Sequence, residues 1–181
     1  LRGEFRYWNP YNHEGIPLPF LPLAYPLEAL QALWPDERGF SLLLALHVPL
    51  AAVAFFFLAR GLGVGLLGAA GGALAYALGG FSLSTLNLYV YAHALAWAPL
   101  LVLALLRAGS GGPRAVALAA VVTAISLSPA GVEIVLQAAL FGLVLASSLG
   151  DGRRWLRLLG GLTLGTGMAA PVLLVMGGAT A

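Results

Sequence analysis

Residues 64 to 106 run for 43 positions without a formal charge, and that run decides most of what the chain can become. As one helix at 1.5 Å per residue it would be about 64 Å long, twice the roughly 30 Å hydrocarbon core of a bilayer. It must fold back on itself. The place for the turn is the polar stretch Ser82 to His93, SLSTLNLYVYAH, which leaves one span near 64–80 and another near 94–106. The rest of the composition agrees with a membrane location. Of 181 residues 60% are hydrophobic and 9% charged, with a mean hydropathy of +0.92, against roughly 25% charged in a soluble domain.

Charge and cysteine usage exclude several function classes. All nine basic residues are Arg, the net charge is +2 and the arginines are scattered, which does not suit a polyanion such as nucleic acid. With no cysteine, disulfides, thiolate metal sites and Cys nucleophiles are out. The chain starts at Leu1 without Met, stops inside an apolar run and shows no signal-peptide pattern, so it reads as an internal fragment of a longer protein.

Residues 1–39 read as an external loop, and residues 40–181 as a transmembrane bundle truncated at both ends. Five of the seven acids fall in residues 1–38, together with three Arg and a cluster of prolines; such a segment cannot cross hydrocarbon as a regular helix. Within it PLEALQALW, 26–34, predicts a short amphipathic helix at the bilayer surface. The cleanest span is 40–59, closed by Arg60. The stretch after Arg114, with Glu133 as its one charge, would be about 52 Å long over 115–149 as one helix and is broken at SLSPAG, with Ser128 capping a new helix and Pro129 in its first position; the 115–127 piece is short for a span. A last segment runs from about 158, with Pro171 as a kink. The expected fold is therefore an all-α polytopic bundle of about six spans.

Arginine placement sets the orientation. With the first loop outside, Arg60, Arg107, Arg114, Arg153, Arg154 and Arg157 fall on the cytoplasmic side, six against three, as the positive-inside rule prefers. The opening loop, the 81–93 turn and the 128–133 corner then share the external face.

Candidate motifs divide accordingly. GVGLLG, 63–68, matches G-x-G-x-x-G but follows a span rather than a strand, and no acid stands about twenty residues later to hold a ribose. Gly61/Gly65, Gly68/Gly72 and Gly161/Gly165 instead repeat the small-xxx-small spacing of close helix packing. Glu133, with Gln137 one turn later, either grips a substrate hydroxyl or head group or is a first-turn carboxylate favoured by the helix dipole at the interface. Asn87, Tyr89, Tyr91 and His93 either line a sugar or phosphate site or form an aromatic belt. His47, beside Pro49, reads as a satisfied polar residue inside the bundle. The three His lack metal-site spacing, and Asp36 and Asp151 fall on opposite faces, which leaves no Ser-His-Asp triad. In the opening EFRYWNPYNHEGIPLPF, Trp8, Asn9, Tyr11, Asn12, His13 and Glu14 combine stacking surfaces, donors and carboxylate in one Pro-bounded loop. That inventory suits a sugar held against water, and it equally suits an interfacial anchor.

GEFRYWNPYNHEGIPL, YPLEAL, ALAYALGGF, AHALAWAPLLVLALLRA and SPAGVEIVLQAAL resemble, in order, the blocks of the YfhO-like bacterial membrane protein family, over most of residues 3 to 145. Two departures stand out. Arg6 and Tyr7 occupy places where the family's loop tends to read Pro-Leu, and SPAGVE replaces a His-Pro-Gln corner, with Glu133 near the expected Gln. The resemblance implies a GT-C-type glycosyltransferase in the bacterial cytoplasmic membrane, moving a sugar from a polyprenyl-phosphate donor to a cell-envelope polymer or lipid on the external face. It implies an acid in the first external loop as base or metal ligand; Glu4 and Glu14 are the candidates present, although the family's acid lies nearer the first span and so ahead of Leu1. A divalent metal is compatible with this scheme, and the sequence requires none. The competing expectations are a transporter or flippase for a lipid or glycan, with Glu133, Gln137 and the broken helices lining a path through the midplane, and a structural membrane subunit.

Overall fold

The computed structural model describes residues 8–9, 16–17, 25–28, 33–34, 36–128, 131–147 and 152–178. A two-residue antiparallel pair joins β1 (Trp8–Asn9) to β2 (Ile16–Pro17). A 3-10 turn follows at Pro26–Glu28, where the amphipathic helix was expected; Leu33 is helical, and residues 29–32 lie outside the described residues. The remaining elements are helices: α1 (Glu37–Gly61), α2 (Leu66–Leu78), α3 (Gly80–Thr85), α4 (Tyr89–Ser110), α5 (Pro113–Leu127), α6 (Val132–Ser147) and α7 (Gly152–Gly178). Three are long and apolar enough to cross a membrane: Glu37–Gly61, Leu66–Thr85 taken across the α2–α3 break, and Val90–Ser110. The all-helical class expected from the sequence is therefore present, while three of the about six expected spans are, among the described residues, long and apolar enough to cross.

The boundaries differ from expectation for local reasons. Helix α1 starts at Glu37 rather than Phe40, because the Asp36 carboxylate accepts the Gly39 N–H at 2.9 Å and caps the first turn despite the charges in it. The turn in the long uncharged run is confined to 86–88. Ser82–Thr85 belong to α3, and Tyr89–His93 to the start of α4. Ser128 does not open a new helix: its Oγ donates to Ile125 O at 2.8 Å and it ends α5, while α6 starts at Val132 with Gly131 O accepting from Ile134 and Val135. Helix α7 begins at Gly152, six residues before the expected span, because an arginine-rich first turn is as helical as an apolar one.

Helix α4 is the centre of the bundle. Its membrane-length window is 67% buried, against 33% for α1 and 17% for α2–α3, and α1, α5, α6 and α7 all pack on it. Helix α5, about 22 Å long at 15 residues, buries Ala119, Ala120, Val122, Thr123 and Ser126 among its neighbours. The outer surface is apolar. Leu67, Leu74, Leu136, Val144, Leu156 and Leu174 are each more than half exposed, which suits lipid rather than water.

Charge is polarised between the two ends. A Cβ at Gly61 would meet Leu103 Cδ1 at 2.7 Å, which sets the end of α1 beside the second half of α4, and Arg157 of α7 donates to Gly111 O at 2.9 Å. Arg60, Arg107, Arg114, Arg154 and Arg157 thus occupy one end. Asp36, Glu37 and Glu133, in the opening turns of α1 and α6, occupy the other, with Arg38 the one described arginine among them.

Candidate functional site

At that second end the first segment is tied into the bundle by one residue. Tyr25 is completely buried and stacks on His93 of α4, with ring centroids 4.7 Å apart, and on His47 of α1 at 5.6 Å; the two imidazoles are 4.1 Å apart. The hydrogen bonds among these groups have a defined direction. His47 Nδ1 lies 2.6 Å from Leu43 O, and a carbonyl only accepts, so Nδ1 carries the proton. Nε2 of the uncharged ring is then an acceptor. It accepts the Tyr25 O–H, and the Tyr25 oxygen accepts the Trp97 indole N–H at 2.9 Å. Trp97, Tyr25, His47 and Leu43 therefore form one directed chain. Residues from three separate parts of the sequence are locked together by groups that each need a partner when buried.

Beside His47 runs a cleft lined by Ser82, Thr85, Leu86 and alanines of α1, α2 and α4, with room for a single water molecule. A sugar does not fit it. A larger hollow, about 240 Å³, opens at the start of α1 between Trp34, Asp36, Arg38, Gly39 and Leu42. Its shape depends on Gly39, since a Cβ there would strike the Trp34 carbonyl oxygen. Trp34 is 54% exposed, and Asp36 and Arg38 are also exposed. An aromatic face, a carboxylate and a guanidinium thus border one surface depression.

The sequence-predicted residues are distributed as follows. His93 is in the buried stack rather than lining an open site, because α4 starts at Tyr89 and turns it inward. Asn87 is exposed in the α3–α4 turn. Glu133 and Gln137 are exposed on α6, whose entry packs on α4: a Cβ at Gly131 would stand 2.5 Å from Ala94 Cβ and 2.9 Å from Val90 O. The backbones of Trp8 and Asn9 form β1; Glu4, Tyr11, His13 and Glu14 lie outside the described residues. Among the described residues no three His, Asp or Glu side chains gather as a metal site would need.

Tyr25, Trp97 and the Trp34–Arg38 hollow were not singled out by the sequence. For Tyr25 and Trp97 no local signal exists, because 72 residues separate them. For the hollow the signal was available in WPDERG, 34–39, an aromatic followed by a helix cap. The helical spacing of glycines is only partly realised: Gly161 and Gly165 face Ala119, Ala120 and Thr123, whereas Gly65 faces nothing among the described residues. Comparison with protein-family models, curated proteins and solved structures found no match.

Proposed function

We propose that the protein is an integral-membrane glycosyltransferase of GT-C-like arrangement, moving a sugar from a polyprenyl-phosphate donor to a cell-envelope acceptor on the external face. The observation that carries this reading is the hollow of Trp34, Asp36, Arg38, Gly39 and Leu42, at the end of the molecule away from the arginine cluster. The positive-inside rule makes that end external. Trp34 offers a flat apolar face for a pyranose ring. Arg38 offers a planar fork for a phosphate. The adjacent apolar flank of α1, exposed at Leu42 and Leu46, gives a polyprenyl chain a route into lipid. The resemblance of the ordered sequence blocks supports the same reading.

In this scheme the acceptor hydroxyl oxygen attacks C1 of the sugar, the C1–O bond to phosphate breaks, and the polyprenyl phosphate leaves with the electron pair. The hydroxyl proton goes to a carboxylate of the first loop, for which Glu4 and Glu14 are the candidates in this chain. Arg38 meets the charge that develops on the departing phosphate. Asp36 is less suited as the base, because one of its oxygens already caps α1. Glu133 and Gln137 serve the acceptor side.

Transport is the weaker alternative. Thr123 and Ser126, the buried hydroxyls of α5, donate to the carbonyls of Ala119 and Val122 in their own helix, each at 2.7 Å, and Tyr76 donates to Leu95 O. Among the described residues these polar groups are turned to backbone, not toward a path through the bundle.

The test is sugar transfer from polyprenyl-phosphate hexose by the full-length protein in liposomes. Arg38→Gln and Trp34→Ala are each expected to lower kcat/KM by about tenfold or more, from a lost contact of roughly 1–3 kcal/mol. Wild-type activity with both variants unimpaired would refute the site; a wild-type protein that transfers no sugar but moves the donor lipid across the bilayer would refute the function.

A further inference from the structure

Four arginines from three helices meet around one turn. Arg157 of α7 donates to Gly111 O at 2.9 Å, and the Gly111 N–H bonds Arg107 O of α4 at 2.8 Å. Arg114 stands three residues further on, in the first turn of α5. Arg154 joins them, since a Cβ at Gly109 would lie 3.8 Å from its Cβ. Arg107, Arg114 and Arg157 are exposed. The bond to Gly111 engages one of the five guanidinium N–H groups of Arg157, and a planar fork suits the oxygens of a phosphate. In sequence, the only acid within six residues of any of these four arginines is Asp151, beside the two of α7.

The surface leading away from the cluster is apolar. Leu118 and Val121 on α5, and Leu156 and Leu159 on α7, are exposed on either side of the α5–α7 seam. Trp155, 37% exposed, is at the arginine level, where an indole suits the head-group zone. A free phosphate would use only the charges; a phospholipid would use the charges and the strip together. We propose that the arginine end of the α5–α7 seam binds the head group of an anionic phospholipid in the leaflet on that side, with its acyl chains along the seam. This site is independent of the sugar-transfer reading.

Native mass spectrometry of the full-length protein, with phosphatidylglycerol or phosphatidylcholine added, tests it. The wild type is expected to hold phosphatidylglycerol more tightly. In the R107Q/R114Q pair, whose side chains are exposed, that affinity should fall on the order of thirtyfold, and in R114Q alone about fivefold. R60Q, which removes an arginine of the same end but away from the seam, should change it less than threefold. The proposal is overturned if the wild type holds both lipids equally, if R60Q loses as much as the pair, or if millimolar inorganic phosphate displaces the lipid.

Discussion

Two seams of the bundle are built from opposite materials. Where α5 meets α7, contact is made by small residues. Gly161 faces Ala119 at 3.0 Å from its hypothetical Cβ, Gly165 faces Ala120 O and Thr123 Cβ at 2.5 Å, and the hydroxyls of Thr123 and Ser126 bond within their own helix. Where α1 meets α4 near His47, contact is made by stacked rings, and hydrogen bonds join both helices through Tyr25 of the first segment. In lipid, burial from water does not drive helices together, so close packing and interhelical hydrogen bonds are the means available. This chain uses one at each seam. The small-residue seam fixes a distance, while the ring seam fixes a direction and ties the first segment to the bundle.

That contrast is open to direct attack. The largest effect is expected from Gly165→Leu, because the new side chain meets backbone and a buried Cβ that cannot move aside. Thermal unfolding in detergent should show a loss of about 3 kcal/mol, and an unchanged midpoint would mean the seam is loose. Tyr25→Phe keeps the stack but removes the oxygen between Trp97 and His47. It should lower stability by about 2 kcal/mol, since the buried His47 nitrogen and the half-buried Trp97 N–H lose their partner. Adding Trp97→Phe to that variant should then add little, and a fully additive double mutant would break the chain inferred here. Asp36→Ala should have a smaller effect, about 1 kcal/mol of capping energy, read by faster hydrogen exchange confined to the first turn of α1. Glu133→Gln, exposed on α6, should alter stability by less than about 0.5 kcal/mol while reducing sugar transfer. Loss of both would mean that its role is structural.

The two seams also differ in how far they were legible. The Gly161/Gly165 spacing was visible because helix periodicity alone puts both residues on one face. Periodicity holds only within one helix, and the identical spacing at Gly61/Gly65 straddles the end of α1 and the cap of α2, so only Gly61 makes a close approach, against Leu103. The need for a turn within 64–106 followed from bilayer thickness, and its place was expected within a few residues. Its extent was overestimated, because Ser82–Thr85 and Tyr89–His93 remain helical, with the Ser82, Ser84 and Thr85 hydroxyls donating to nearby carbonyls and the His93 ring stacked in the bundle. His47 was expected to be a satisfied polar residue inside the bundle, and it is. The ring seam itself was not legible. His47 and His93 are 46 positions apart, and only the return of α4 alongside α1 makes them neighbours. Likewise the sequence marked Ser128 as a helix start on residue type alone, while the backbone uses its hydroxyl to close the helix before it.

The account as a whole rests on the two ends lying on opposite sides of a membrane. These 181 residues contain no cysteine, so once any cysteine elsewhere in the full-length protein is replaced, this is measured with single cysteines at exposed Asn87, Glu133 and Gly112 and a membrane-impermeant maleimide added to intact cells. The prediction is that N87C and E133C are labelled from outside, while G112C is labelled only after the membrane is opened. Labelling of G112C in intact cells, or of N87C and E133C from opposite sides, would contradict it.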